Sequence, residues 1–183
     1  MSIVKYDQRV SLRIAALGLL AWEPASGYDL LKHFEKSMAN VWPATQSQLY
    51  GELNKLADAG LIEVSDIGPR GRKEYRITEA GRAEIRRWVA NPQDDPPFRS
   101  AGLLRVFLLD AIPREQARAH MVAVAEHADA EVKRLEALRD SIGWGEDESF
   151  FYGRAALEYG LRMNAMEADW ARWLVNAIDT REA

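Results

Sequence analysis

Cysteine is absent from the 183 residues, which excludes disulfides, thiolate metal sites and cysteine nucleophiles. The absence fits a reducing compartment. No stretch approaches the roughly 18 apolar residues a membrane span needs. The first ten residues, MSIVKYDQRV, carry charges and no long apolar run, unlike a signal peptide. A soluble, cytoplasmic protein is expected. Histidine is scarce, with only His33, His120 and His127. His120, His127 and Glu131 are spaced to share a helix face, but a solvated face is far commoner than a metal site in that pattern and no metal is assigned. No Ser/His/Asp set, glycine-rich phosphate loop or pair of catalytic carboxylates has a convincing context. Neither catalysis nor a cofactor is expected.

A basic excess is missing as well. The formal net charge is -4, which taken alone speaks against a polyanionic partner. The distribution says otherwise. Residues 1–90 carry 13 Lys+Arg and 11 Asp+Glu, whereas residues 91–183 carry 11 and 17. A mildly basic half beside an acidic one implies a division of labour. The stretch NPQDDPPF, residues 91–98, has three prolines, two acids and no apolar periodicity, and reads as a linker between residues 1–90 and 99–183. There is no internal repeat or low-complexity tract.

What is present before the linker is the pattern helix, helix, helix, hairpin, helix. The first helix covers residues 11–22, with Leu12, Ala15, Ala16 and Leu19 at helical spacing and Pro24 closing it. The second begins at Ser26 and runs through GYDLLKHFEKSM, with Leu30, Leu31 and Phe34 on its buried side. The third starts at Thr45, where Gln48 completes a capping box, and ends at Gly60. Two strands follow, LIEVSDI and KEYRIT. In them Ile62 and Val64, then Tyr75 and Ile77, alternate with polar residues around the turn GPRGR. Thr78 caps the fourth helix. This is the order of a winged helix-turn-helix.

The third helix carries the most informative face. At about 100° per residue, Leu49, Leu53 and Leu56 fall on one side. Ser47, Gly51, Asn54 and Asp58 fall on the other, flanked by Tyr50 and Lys55. Glycine in a helix interior costs about 1 kcal/mol relative to alanine, and a position without a side chain lets a phosphate backbone or groove wall approach. Asn54 can pair with adenine. Ser47 and the side chains of Gln46 and Gln48 can donate to base edges or phosphates, and Tyr50 can donate to phosphate. Thr45, Lys55 and these residues form a candidate DNA-reading surface; a solvated face with one tolerated glycine is the alternative. The hairpin favours the first reading. GPRGRKEYR holds Arg70, Arg72, Lys73 and Arg76 against Glu74, which suits phosphate or minor-groove contact.

These residues resemble the PadR family of bacterial transcriptional regulators. The resemblance rests on SGYDLLKHFE, SQLYGELNKLADAGLIEV and GRKEYRITEAGRAEIRRW. In the second half it rests on LLRVFLLDAI, a long striped helix and EADWARWL, and it covers nearly the whole chain. It implies a mainly α fold with a small β-hairpin, namely an N-terminal winged helix-turn-helix followed by a C-terminal helical dimerisation domain. It implies a homodimeric regulator, usually a repressor, on a near-palindromic operator. It also implies that Tyr50 and its neighbours meet DNA while the wing reaches the flanking groove. Glu52 and Asp58 make the third helix less basic than many DNA readers. A dimer of two weak sites compensates through effective concentration.

The half after the linker is helical throughout by pattern. A short apolar helix, RSAGLLRVFLLDAI, is closed by Pro113. Over residues 114–142, Ala117, Met121, Val124, Ala128, Val132, Leu135, Leu138 and Ile142 recur at steps of three and four. A last helix over residues 148–178 has Phe151, Ala155, Tyr159, Met163, Met166, Trp170, Trp173 and Ile178 as its apolar face. Two such helices cannot bury both faces in about 85 residues, so a second copy is expected. Val124, Ala128, Leu135, Leu138, Tyr159, Met163, Met166 and Trp170 are the candidate dimer contacts. An intramolecular helical hairpin is the alternative. Six tryptophans are present: Trp22, Trp42 and Trp88 in the first half, Trp144, Trp170 and Trp173 in the second. Trp170 and Trp173 are candidates for a pocket taking a flat, apolar effector, or else for dimer core. The rival to a DNA-binding regulator is a protein-interaction module that uses the winged helix as a scaffold.

Overall fold

The computed structural model describes residues 8–36, 44–91 and 100–181. Trp42, linker residues 92–98 and the last two residues expected in the second helix lie outside the described residues. The chain divides into two compact units, residues 1–98 and 99–183.

The first unit is organised around α1 (Gln8–Trp22). Leu12, Ala16, Leu17, Leu19 and Leu20 are all buried, so this helix is apolar on nearly every side. Such a helix belongs at the centre of a core. It packs against α2 (Gly27–Lys36), α3 (Gln46–Asp58) and α4 (Glu79–Val89). Phe34 from α2 and Leu49, Leu53 and Leu56 from α3 complete the core. The capping box at the start of α3 is formed. The Thr45 hydroxyl accepts from the Gln48 amide at 3.3 Å, and the Thr45 amide donates to Gln48 Oε1 at 2.8 Å.

The hairpin consists of β2 (Ile62–Ile67) and β3 (Lys73–Ile77), joined through a 3-10 turn at Pro69–Gly71. A third strand escaped the sequence reading. Ser26, expected only as a helix start, and its neighbour Ala25 form β1 and pair with Glu74 and Tyr75, giving the order β1-β3-β2. Ser26 also keeps a capping role, because its hydroxyl accepts from the Asp29 amide at 3.3 Å. Val64 alternates in phase with Ile62 but does not share its burial. Only Ile62 of β2 is buried and Val64 is 41% exposed, because β2 is an edge strand whose outer half extends beyond the core. A register shift between Val64 and Asp66 accompanies that departure.

Close packing explains the Thr-x-x-Gly that follows the hairpin. The Thr78 hydroxyl donates to the Gly60 carbonyl at 2.8 Å and accepts from the Gly81 amide at 3.2 Å. A Cβ on Gly81 would lie 2.3 Å from the Leu61 carbonyl oxygen, so α4 can seat against the hairpin only through glycine.

The second unit is built on α6 (Arg114–Ser141) and α7 (Glu148–Thr180), preceded by the short α5 (Ala101–Phe107). At about 1.5 Å per residue α6 spans roughly 40 Å. The long helices run antiparallel. Arg118 pairs with Asp179 at 2.7 Å, and Arg172 of α7 reaches Asp129 of α6. The Trp144 indole donates to the Arg139 carbonyl at 2.8 Å, satisfying one carbonyl at the end of α6.

The stripe expected on α7 divides. Its seam with α6 is made by Leu161, Ala168 and Ala171, with Trp170 and Ile178 packed at the side. Tyr159, Met166 and Trp173 are 69%, 61% and 63% exposed, and Phe151 and Met163 are exposed too. Small residues occupy the seam because the helices come close there; a Cβ on Gly160 would lie 3.3 Å from Leu135 Cδ1. Two expected dimer contacts need correction on this ground. Ala128 and Leu135 are buried within the single chain and leave almost no surface for another copy. Val124 and Leu138 are half-buried. Among the described residues, no helix is long and apolar enough to cross a membrane.

Candidate nucleic-acid interface

The outward face of α3 and the hairpin meet at one edge of the first unit. Gln46, Ser47, Gln48, Asn54 and Lys55 are exposed, and Gly51 is half-buried. A Cβ on Gly51 would touch nothing within 4 Å among the described residues. Packing inside the chain therefore does not require glycine here, and its helix penalty of about 1 kcal/mol is uncompensated in the free protein. Thr45 and Gln48 are partly committed to the capping box, and the Ser47 hydroxyl lies 3.2 Å from that of Thr45.

Glu52, which lies beside this face in the sequence, turns inward. It is buried, and its carboxylate accepts from Lys55 Nζ at 3.0 Å. The acid is thereby removed from the outer surface, at the expense of part of the Lys55 charge.

Tyr50 joins the helix to the wing. Its ring lies on Gly27 so closely that a Cβ there would stand 2.6 Å from the ring. Tyr28, Tyr50, Arg72, Lys73 and Tyr75 line a notch of about 280 Å³ between α2, α3 and the hairpin. Thus Tyr50, Arg72 and Lys73, separate in the sequence, share one surface.

The wing is less basic than its composition implies. Arg76 is paired with Glu63 at 2.6 Å, directly across the β2–β3 ladder. Arg72 is paired with Asp29 of α2. The opposed acids Asp66 and Glu74 are accommodated locally: Asp66 accepts from the Ile67 amide at 2.8 Å, and Glu74 accepts from the Ser65 hydroxyl at 3.0 Å. Lys73 is exposed; the Arg70 side chain is outside the described atoms. Two of the three wing cations whose side chains are described therefore have anionic partners within the unit.

Asp29 is the residue the sequence reading missed. Its carboxylate accepts from the buried Ser26 hydroxyl at 2.7 Å and from Arg72. The Ser26 hydrogen bond first, and the Arg72 guanidinium after it, hold this carboxyl below its ordinary range. Gly27 and Tyr28 were missed as well. All three lie in SGYDLLKHFE, a motif whose helical periodicity drew attention to its buried side alone. On the next turn Lys32 Nζ sits 4.5 Å from the Tyr28 ring centroid, adding a cation near this edge.

Residues 16–87 match the transcriptional regulator PadR-like family, and residues 98–179 match the virulence activator alpha C-terminal family. Over 110 residues the chain is 32% identical to the negative transcriptional regulator PadR of Bacillus subtilis, a match covering 58% of this chain. The chain spans about three-fifths, 60%, of the length of that relative. Bacillus subtilis PadR solved with operator DNA superposes with a TM-score of 0.78 at 24% identity, covering 92% of this chain and 99% of that one. The same protein solved with p-coumaric acid gives 0.79 at 24% identity, covering 95% and 98%. At these identities the structural matches establish the fold: a winged helix followed by a helical region.

Proposed function

This chain belongs to the PadR family of transcriptional regulators, a family of regulators and not of enzymes, and from that membership we propose that it is a dimeric repressor of a near-palindromic operator. The observation that carries the reading is the continuity of one polar surface. It runs from Ser47, Gly51 and Asn54 on α3 through Tyr50 to Arg72 and Lys73 on the wing. In this reading the exposed α3 residues face base edges, Tyr50 donates to a phosphate, and Arg70, Arg72 and Lys73 meet the flanking backbone. Thr45 and Gln48 act mainly by holding the first turn of the helix, and Gln46 and Lys55 lie at its margin.

A second copy is assigned to the apolar side of α7 and to α5. Tyr152, Tyr159, Met163, Met166 and Trp173 recur at steps of seven, four, three and seven on a helix that leaves them exposed. On α5 and just after it, Leu103, Leu104, Phe107 and Leu108 are exposed, Phe107 by 83%. An apolar surface of that extent is characteristic of an interface. Twofold symmetry would set the two α3 helices about 34 Å apart, one DNA turn, or a multiple of it. A small-molecule effector relieves repression in this reading, by analogy with the relative solved with p-coumaric acid. Trp170 and Trp173 are its candidate contacts. The protein acts in the cytoplasm, where its operator lies.

The test is a gel-shift titration against the DNA immediately upstream of the protein's own gene, at two salt concentrations, with random DNA as competitor. A specific, salt-sensitive complex that survives competitor is the expected result. Equal, weak binding to both DNAs would favour the winged helix as a protein-interaction scaffold. Sedimentation of the free protein reads the dimer independently.

A further inference from the structure

We infer that Asp29 is a positioning residue for DNA binding, which holds the wing arginine Arg72 at the notch so that its remaining donors meet a backbone phosphate. The inference rests on the DNA-binding reading above and deepens it.

Three observations carry it. The first is that Asp29 is itself held by Ser26, through both its carboxylate and its amide. The buried Ser26 hydroxyl donates to Asp29 Oδ2 at 2.7 Å and accepts from the Asp29 amide at 3.3 Å. The carboxylate is thereby restrained by a strand residue fixed in the sheet. The second is that the pair joins elements 43 residues apart, the first turn of α2 and the wing. Arg72 follows Gly71, whose φ of 76° is left-handed, and the turn is closed by the Gly68 amide donating to the Arg72 carbonyl at 2.8 Å. Backbone and side chain of Arg72 are thus both constrained. The third is that Asp29 engages only Nη2 of Arg72, whose side chain is half-exposed. A guanidinium has five donors in a rigid fork, so most of them stay available.

The physical effect is pre-organisation. A long arginine side chain loses rotamer freedom when it grips a phosphate. Here much of that freedom is already spent in the free protein, so less is lost on binding. The opposing effect is electrostatic, since Asp29 places a negative charge near DNA. The two effects predict opposite signs for its removal. Simple electrostatics has Asp29→Ala tighten binding; positioning has it weaken.

The experiment is a double-mutant cycle on the full-length protein, using a duplex spanning the region upstream of its gene, with random duplex as competitor. Asp29→Ala is expected to weaken specific binding about fivefold, the equivalent of one well-formed exposed pair. Asp29→Asn, which keeps the acceptor and loses the charge, should bind at least as tightly as the wild type. In the Arg72→Ala background, Asp29→Ala should produce no loss at all. A fall of equal size in that background would assign Asp29 to general folding and overturn the inference. So would tighter or unchanged binding by Asp29→Ala in the presence of Arg72. An Arg72→Ala protein that binds as tightly as the wild type is a separate result. It would remove the wing from the DNA surface, and the positioning role with it.

Discussion

The two units solve the burial problem differently. Residues 1–98 enclose large side chains, among them Leu17, Leu20, Phe34, Leu49, Leu53 and Leu56, each almost wholly buried. Residues 99–183 bury mostly small ones along the α6–α7 seam, Ala117, Ala125, Ala128, Ala168 and Ala171, with Met121, Leu135 and Leu161 the larger exceptions. Several of their large apolar side chains, Phe107, Phe151, Tyr159 and Trp173, stay outside. A unit of several short elements can surround a core, whereas a two-helix hairpin has one seam and must leave its other faces open. One unit encloses its large apolar side chains, while the other leaves several of its own on the surface.

The sharpest way to break that comparison is to damage each apolar set in turn. Leu53→Ala should cost about 2–5 kcal/mol in the first unit, as large-to-small core substitutions do. The loss, read by chemical denaturation, should be the same at every protein concentration. Replacing Tyr159 and Met166 together by Glu should act through association instead. We expect a shift from dimer to monomer in sedimentation, with loss of any concentration dependence of the melting temperature. A double variant that sediments as the wild type does would show that this face is not where copies meet.

A smaller effect separates stability from function within the first unit. Gly51→Ala meets no neighbour within 4 Å among the described residues and should stabilise α3 by up to about 1 kcal/mol. It should nevertheless weaken operator binding, because the added methyl meets the groove. Greater stability with unchanged affinity would return Gly51 to the class of tolerated helix glycines.

The smallest effect concerns the ion pairs of the second unit. The Arg118 guanidinium, hydrogen-bonded to Asp179, holds that carboxyl below its ordinary range. A carboxyl with a lower pKa folded than unfolded adds stability above the unfolded value, about 3.9 for aspartate. That contribution is lost as pH falls through the folded value. Asp179→Asn should therefore flatten the acid limb of the stability profile below about pH 4. The change should be slight, because both side chains are nearly half-exposed and the pair is screened. An acid limb identical to that of the wild type would show that the pair contributes nothing to holding the hairpin.

Much of this was legible before any coordinates. The α3 start was written in Thr45 and Gln48, the hairpin in the alternation around GPRGR, and the long helices in steps of three and four. The polar line of Ser47, Gly51 and Asn54 was legible because helical geometry fixes a face from spacing alone. Strand β1 was not legible. Two residues carry no period, and Ala25 and Ser26 become a strand only because β3 offers them an edge. The division of the α7 stripe was equally hidden. Periodicity reports that a face is apolar, not which helix covers it.

By itself, the sequence determined the local elements, the order winged helix then long helices, and the candidate DNA-reading face. Each depends on residues close in the chain, where capping, turn chemistry and helical spacing act. Only the tertiary structure decided that Glu52 turns inward, that Arg72 is held by Asp29, and that Ala128 and Leu135 are spent within one chain while Tyr159 and Met166 are not. Those outcomes turn on how elements far apart in sequence approach one another. Close approach favours whatever side chain fits the space and satisfies its charge there.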